Sequence, residues 1–232
     1  MPIPAHERLI VALDVPEAAD ARALVERIGD AASFYKIGLE LFMTGEAIEL
    51  LDWLGDRGKQ VFVDLKLFDI PATVGRAVKR LNGSGARFVT VHGNDAMMKA
   101  AADAADDISV LAVTVLTSLD RGDLDDLGFD CDVDSLVLSR ARRAVACGCA
   151  GVVASGREAG ALREALGESF LVVSPGIRPV DNREDDQKRM VTVPQAFANG
   201  ADYIVVGRPI RNAEDPAAAA AGIQRQISEA LG

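Results

Sequence analysis

The stretch VFVDLKLFDIPATV, residues 61–74, closes an apolar run by setting Asp64, Lys66 and Asp69 within six positions. An acid, a base and an acid so close together suit either a site that balances charge and moves protons or a solvated surface turn. A second signal comes late in the chain. The run YIVVGRPI places Gly207 and Arg208 directly after a strand-like segment. A glycine there lets backbone N–H groups approach an anion, and an arginine can grip two oxygens of a phosphate at once. By itself this short motif also fits a turn glycine beside an exposed arginine.

The elements that must position these groups are eight β-rich runs: LIVALDV (9–15), FYKIG (34–38), QVFVDLK (60–66), RFVTVH (87–92), ISVLAVTVL (108–116), AGVVAS (150–155), FLVVSP (170–175) and DYIVVGR (202–208). Each is nearly continuous in apolar residues, as parallel strands buried on both faces should be. Helical segments lie between them. TGEAIELLDWLGDRG is expected to start on a capping Thr44 and stop at Gly58, and DPAAAAAGIQRQISEALG opens on Asp215–Pro216. Strand and helix alternating eight times over this length predict an α/β fold, a (β/α)8 TIM barrel forming one domain over residues 1–232.

Strand alternation then sorts the charges. Phe62, Asp64 and Lys66 share one face, Asp14 shares a face with Ile10 and Ala12, and Lys36 stands beside Phe34 and Gly38. If the odd positions of the third run pack on helices, Asp14, Lys36, Asp64 and Lys66 converge at the C-terminal mouth, where barrel enzymes build their sites. A salt-bridge network closing the barrel is the competing reading. Contact between opposite charges gains on the order of 4 kcal/mol at an effective dielectric near 20. Desolvation offsets much of that gain, so chemistry accounts for the cluster better than stability does. The irregular segment IRPVDNREDDQKRMVTVP is either a solvated loop or an active-site lid.

Composition narrows the partners. The formal charge of -10 argues against nucleic acid or an anionic membrane. Cys131, Cys147 and Cys149 form neither an even framework nor a paired zinc spacing, and read as small apolar residues in a reducing cytoplasm. MPIPAHERLIVALDV lacks the pattern of a signal peptide, and no apolar run approaches membrane-spanning length. A soluble cytoplasmic protein is expected.

DLKLFDIPATV closely resembles the DxKxxDIPxT signature of the orotidine 5′-phosphate decarboxylases. The resemblance runs end to end through ALDV, YKIG, TVH, VTVLTS, SPGIRP, DDQKR and YIVVGRPI, and favours the compact bacterial type. It implies decarboxylation of orotidine 5′-phosphate to UMP, the last step of pyrimidine nucleotide synthesis, with no cofactor and no metal. Lys36, Asp64 and Lys66, with Asp69 from a second subunit of a homodimer, would form an alternating charged network, and Lys66 would donate the proton. Asp14 and Lys36 would meet the ribose hydroxyls, while Ile70 and Thr73 would reach the partner's nucleotide. Thr117 or its neighbour Ser118 would meet the pyrimidine. Gln187 would bridge lid, base and phosphate, and Gly207 and Arg208 would hold the phosphate. Arg178 matches a ligand-side position without an assigned bond partner. His92 is either a packed histidine or a catalytic one. The segment DAMMKAAADAADD is short relative to some relatives, which touches only a peripheral helix.

Under this resemblance the residue types make chemical sense. Loss of CO2 from C6 leaves a vinylic carbanion that no cofactor motif in the chain relieves. A cationic Lys66 stabilises that charge and then protonates it. Keto-gulonate phosphate decarboxylases share the DxKxxD core but use it with a divalent metal, and the IPAT continuation and DDQ loop fit the nucleotide enzyme better. A ribulose-phosphate epimerase would need a strand-end histidine and acid metal set that the sequence lacks. A non-catalytic nucleotide-binding barrel would keep Gly207, Arg208 and Gln187 but have no need for a lysine between two acids.

Overall fold

The computed structural model describes residues 3–178 and 189–232. Its eight strands are β1 (Leu9–Ala12), β2 (Phe34–Gly38), β3 (Gln60–Leu67), β4 (Ala86–Val91), β5 (Ser109–Val113), β6 (Gly151–Val153), β7 (Leu171–Ser174) and β8 (Tyr203–Val206). All are parallel to their neighbours, and β8 pairs back on β1 to close the barrel in sequence order. Every strand-like run of the sequence therefore became a strand. The near-continuous apolar runs follow from burial on both faces: one set of side chains packs under the helices, the other fills the interior.

The interior set contains Ile10, Ala12, Phe34, Phe62, Phe88, Leu111, Val173, Tyr203 and Val205. Phe34, Phe62, Phe88 and Tyr203 pack edge-on or tilted, with ring centroids 5.3–6.0 Å apart. Arg87 seals the N-terminal end, donating to Glu7 and Gln60 and, at 2.8 Å, to the Tyr203 hydroxyl. This packed floor closes the barrel interior from below, and a cleft opens at the C-terminal mouth. Capping at the last helix, Pro216–Leu231, is as the sequence predicts, with the Asp215 side chain accepting from Ala218 N–H. Thr44 behaves differently. The helix begins at Ala47, and the Thr44 hydroxyl instead donates to the Leu41 carbonyl, closing the short turn that follows β2. The preceding turn of helix, Leu39–Phe42, satisfies that hydroxyl first.

Candidate active site

Register brings the charges together. Ala12 pairs with Lys36, Lys36 with Phe62, and Gly38 with Asp64, so inward positions of three adjacent strands stack at one end of the barrel. Lys36 Nζ donates to Asp14 Oδ1 at 2.8 Å and lies 3.6 Å from Asp64 Oδ2. Lys66 Nζ donates to Asp64 Oδ1 at 2.9 Å. The order acid, base, acid, base thus continues across β1, β2 and β3. Asp64 is the hub. Burial alone raises its pKa, but the ammoniums of Lys36 and Lys66 and the bonds from Lys66 and Thr90 outweigh burial and leave it below the ordinary carboxylate value.

Two backbone features make room for this network. Lys66 has φ 51°, the only non-glycine residue in the left-handed region among the described residues. Strand pairing slips at the same place: Val63 is opposite Val89, but Leu67 is opposite Val91, so four steps on β3 answer two on β4. This bulge lifts Lys66 from the ladder, and its N–H donates instead to Thr90 Oγ1 at 2.9 Å. The Thr90 hydroxyl passes the bond on to Asp64 Oδ1 at 2.8 Å. Gly38 is the second feature. A Cβ there would sit 2.9 Å from Lys36 Nζ and 3.1 Å from Asp14 Oδ1, inside the ion pair itself.

The mouth opens into a cleft of about 520 Å³, a size suited to a nucleotide-sized ligand. Asp14, Lys36, Asp64, Lys66, Thr117, Arg178, Gly207 and Arg208 all line it, eight of the positions singled out in the sequence. Gly207 and Arg208 begin the short helix Arg208–Arg211 after β8, where barrels commonly bind phosphate. Arg178, past the end of the adjacent strand β7, lines the same cleft; burial first, and then the Arg208 charge, lower its pKa. Two guanidiniums facing one space favour an anion between them. Sequence reasoning missed Glu40 and Arg211, which also line the cleft. Arg211 donates to the Asp14 carbonyl, tying the helix Arg208–Arg211 to the end of β1. Its place in the run GRPIR, one helical turn past Arg208, was the available signal.

Asp69, Ile70 and Thr73 are not among the residues lining this cleft. Asp69 is exposed and accepts from the Ile70 N–H at 2.6 Å, and Thr73 lies in the first turn of the helix Pro71–Leu81, where its hydroxyl accepts from Arg76. Ser118 is exposed beside Thr117. Gln187 lies outside the described residues. His92 sits behind the bulge, with its N–H on the Leu67 carbonyl and its ring against the edge of Phe68. Arg140 Nη1 approaches His92 Nε2 at 3.3 Å. A guanidinium only donates, so Nε2 accepts and the imidazole is neutral. Burial, then the charges of Arg140 and Lys66, hold its pKa down.

The cleft thus holds Lys36 between Asp14 and Asp64, Lys66 on Asp64, and Gly207 with Arg208 beside Asp14. Residues 7–223 match the Orotidine 5'-phosphate decarboxylase / HUMPS family. The chain belongs to this family. It is 65% identical over 229 residues to the orotidine 5'-phosphate decarboxylase of Methylococcus capsulatus, covering 98% of this chain and 95% of that one. It is 55% identical over 234 residues to the enzyme of the same name from Xanthomonas oryzae pv. oryzae, covering 100% and 96%. Among solved structures, the orotidine 5'-phosphate decarboxylase of Lactobacillus acidophilus superposes with a TM-score of 0.84 at 35% identity, over 95% of this chain and 99% of that one. Within the orotidine 5′-phosphate decarboxylase family frame, the signature DLKLFDIPATV divides in two. Asp64 and Lys66 face the chain's own cleft, and Asp69 onward turns away from it.

Proposed function

We propose that this chain is a carboxy-lyase that converts orotidine 5′-phosphate to UMP, the last step of pyrimidine biosynthesis. The observation that carries the reading is the Lys36–Asp64–Lys66 network at the rim of a cleft that Gly207 and Arg208 also line. The phosphate would sit against Gly207, Arg208 and Arg178, the ribose against Asp14 and Lys36, and the pyrimidine toward Thr117, with Gln187 reaching base and phosphate. The C6–carboxylate bond breaks, CO2 leaves, and the electron pair stays on C6. Lys66 Nζ stabilises that pair and delivers its proton to C6, leaving an amine that solvent reprotonates. Asp64 keeps Lys66 in place. Phosphate contacts remote from C6 supply binding energy that a shorter substrate lacks.

The site is completed by a second copy of the barrel. Asp69 would join the partner's charged network, and Ile70 and Thr73 would approach the partner's nucleotide. Exposed Phe68, Ile70, Leu39 and Met43 follow the ends of adjacent strands β2 and β3, an apolar surface of the kind that a homodimer covers. In this reading residues 1–232 form one barrel domain acting in the cytoplasm. Among the described residues no helix is long and apolar enough to cross a membrane. The metal-dependent branch of phosphosugar chemistry is less well supported, since Asp14 and Asp64 each already accept from a lysine. The test is conversion of carboxyl-labelled orotidine 5′-phosphate by the purified chain. Labelled CO2 and UMP in equal amounts support the reading, and UMP binding without CO2 release overturns it.

A further inference from the structure

Glu158 and Arg189 form a buried ion pair behind the cleft, and neither residue lines it. Their side chains are only 6% and 11% exposed. Glu158 spends both oxygens locally: Oε1 accepts from Arg189 Nη1, and Oε2 accepts from the Ser155 N–H at 2.9 Å. The Ser155 hydroxyl donates to the Arg189 carbonyl at 3.2 Å, so β6's exit loop grips Arg189 at head and backbone. Arg189 Nη2 then donates to the carbonyls of Val115 and Leu116, at 3.1 and 2.7 Å. Those two residues and the adjoining Thr117 line the cleft on the β5 side.

The same short stretch also holds the wall of the cleft on the β7 side. Ile177 and Val191 form a parallel bridge. The Arg178 N–H donates to the Val191 carbonyl at 3.0 Å, and the Val191 N–H donates to the Gly176 carbonyl at 3.2 Å. Gly176 and Arg178 line the cleft beside the arginine wall. Arg189 and Val191 are two residues apart, so one anchored segment fixes the backbone before Thr117 and the backbone of Arg178 together. An apolar pair would hold a core at least as well as buried charges, because desolvation offsets their attraction. An apolar pair cannot, however, donate to two carbonyls while being held from behind by a carboxylate.

We propose that Glu158 and Arg189 are positioning residues that set the separation between the base-facing and the phosphate-facing walls of the cleft. The inference rests on the nucleotide reading of that cleft. It requires that disturbing the pair weaken ligands that span both walls more than ligands that use one. UMP spans both, whereas uridine lacks the phosphate. The variants are Glu158→Gln, which keeps shape but removes the charge, and Arg189→Lys, which keeps the charge but loses the two-pronged donor.

Turnover of orotidine 5′-phosphate by the unaltered chain is measured first, and its absence overturns the decarboxylase reading without bearing on the pair. Inhibition by UMP and by uridine is then compared across the variants, with competition against a fluorescent nucleotide as the readout should turnover be absent. The expected result is UMP weakened by about tenfold or more and uridine by less than about threefold in both variants, the scale of a small misplacement of binding groups. A merely structural role lowers the thermal midpoint and weakens both ligands alike. Equal weakening of the two ligands, or none, overturns the proposal. Should Glu158→Gln fail to fold, the same ratio on Arg189→Lys decides.

Discussion

Asp64 and Lys66 are two residues apart on one strand, and their charged ends meet at 2.9 Å while Lys66 holds φ 51°. A regular strand would also send both side chains to the interior face, but the bulge at Lys66 frees its N–H for Thr90, whose hydroxyl donates to Asp64 in turn. Backbone strain of this kind costs on the order of 1 kcal/mol at a non-glycine residue. Lys66→Gly should therefore be more stable than Lys66→Ala by about 1 kcal/mol, while both lose decarboxylation by at least about 10³-fold. Parallel denaturation and activity measurements check the pair. Equal stability would mean that the bulge stores no strain.

Asp64→Asn removes the acid that both lysines share. Lys36 keeps Asp14, and the Lys66 side chain is 38% exposed and turns toward solvent, so the loss should lie near the lower end of the range for unpairing buried charges, about 3 kcal/mol. The pH dependence follows from the direction of the shift. The folded state lowers the Asp64 pKa, so the unfolded state binds more protons, and the stability contributed by Asp64 is present above its ordinary value of 3.8. It disappears as pH falls through the lower folded value. Urea unfolding of the two proteins should differ at pH 7 and converge in acid below the ordinary carboxylate range. A gap that widens in acid would contradict this assignment.

Gly38→Ala should damage the site without replacing any charged residue. The new methyl would press on Lys36 Nζ and Asp14 Oδ1 at 2.9 and 3.1 Å, and Lys36 is 8% exposed with little space to retreat. The expectation is a loss in kcat/KM of about tenfold or more with the fold retained, the scale of a small displacement near reacting groups. Circular dichroism and steady-state kinetics on the one variant suffice, and full activity would show that Lys36 need not occupy this position.

Mixing two inactive variants tests the shared site. In a random mixture of Lys66→Ala and Asp69→Ala chains, half the dimers are hybrids, and each hybrid has one site with both residues intact. About a quarter of wild-type activity should return. No recovery despite verified subunit exchange would place Asp69 outside the chemistry.

The eight strands and the inward set at their ends were legible because parallel strands advertise themselves as apolar runs and strand parity decides which way a charge points. Thr44 misled because a hydroxyl three residues after Leu41 can close a turn as readily as cap a helix. The left-handed Lys66 was not legible: no residue type there demands positive φ, and the bulge depends on pairing with β4. Arg211 and the Glu158–Arg189 pair were missed for another reason. Their partners lie far off in the chain, and an isolated arginine in a helix turn or a loop has no period to reveal which carbonyl it will meet. The likeness of DLKLFDIPATV to a known signature supplied what spacing could not, the division of its acids between the chain's own cleft and the surface.

The most direct measurement is the loss of orotidine 5′-phosphate absorbance with EDTA-treated protein, wild type beside Lys66→Ala, with UMP binding measured on both. Unimpaired turnover by the wild type after chelation, and none by a variant that still binds UMP, is the predicted outcome. Turnover by Lys66→Ala near the wild-type rate, or wild-type activity that returns only on adding a divalent ion, would contradict a lysine acting on C6.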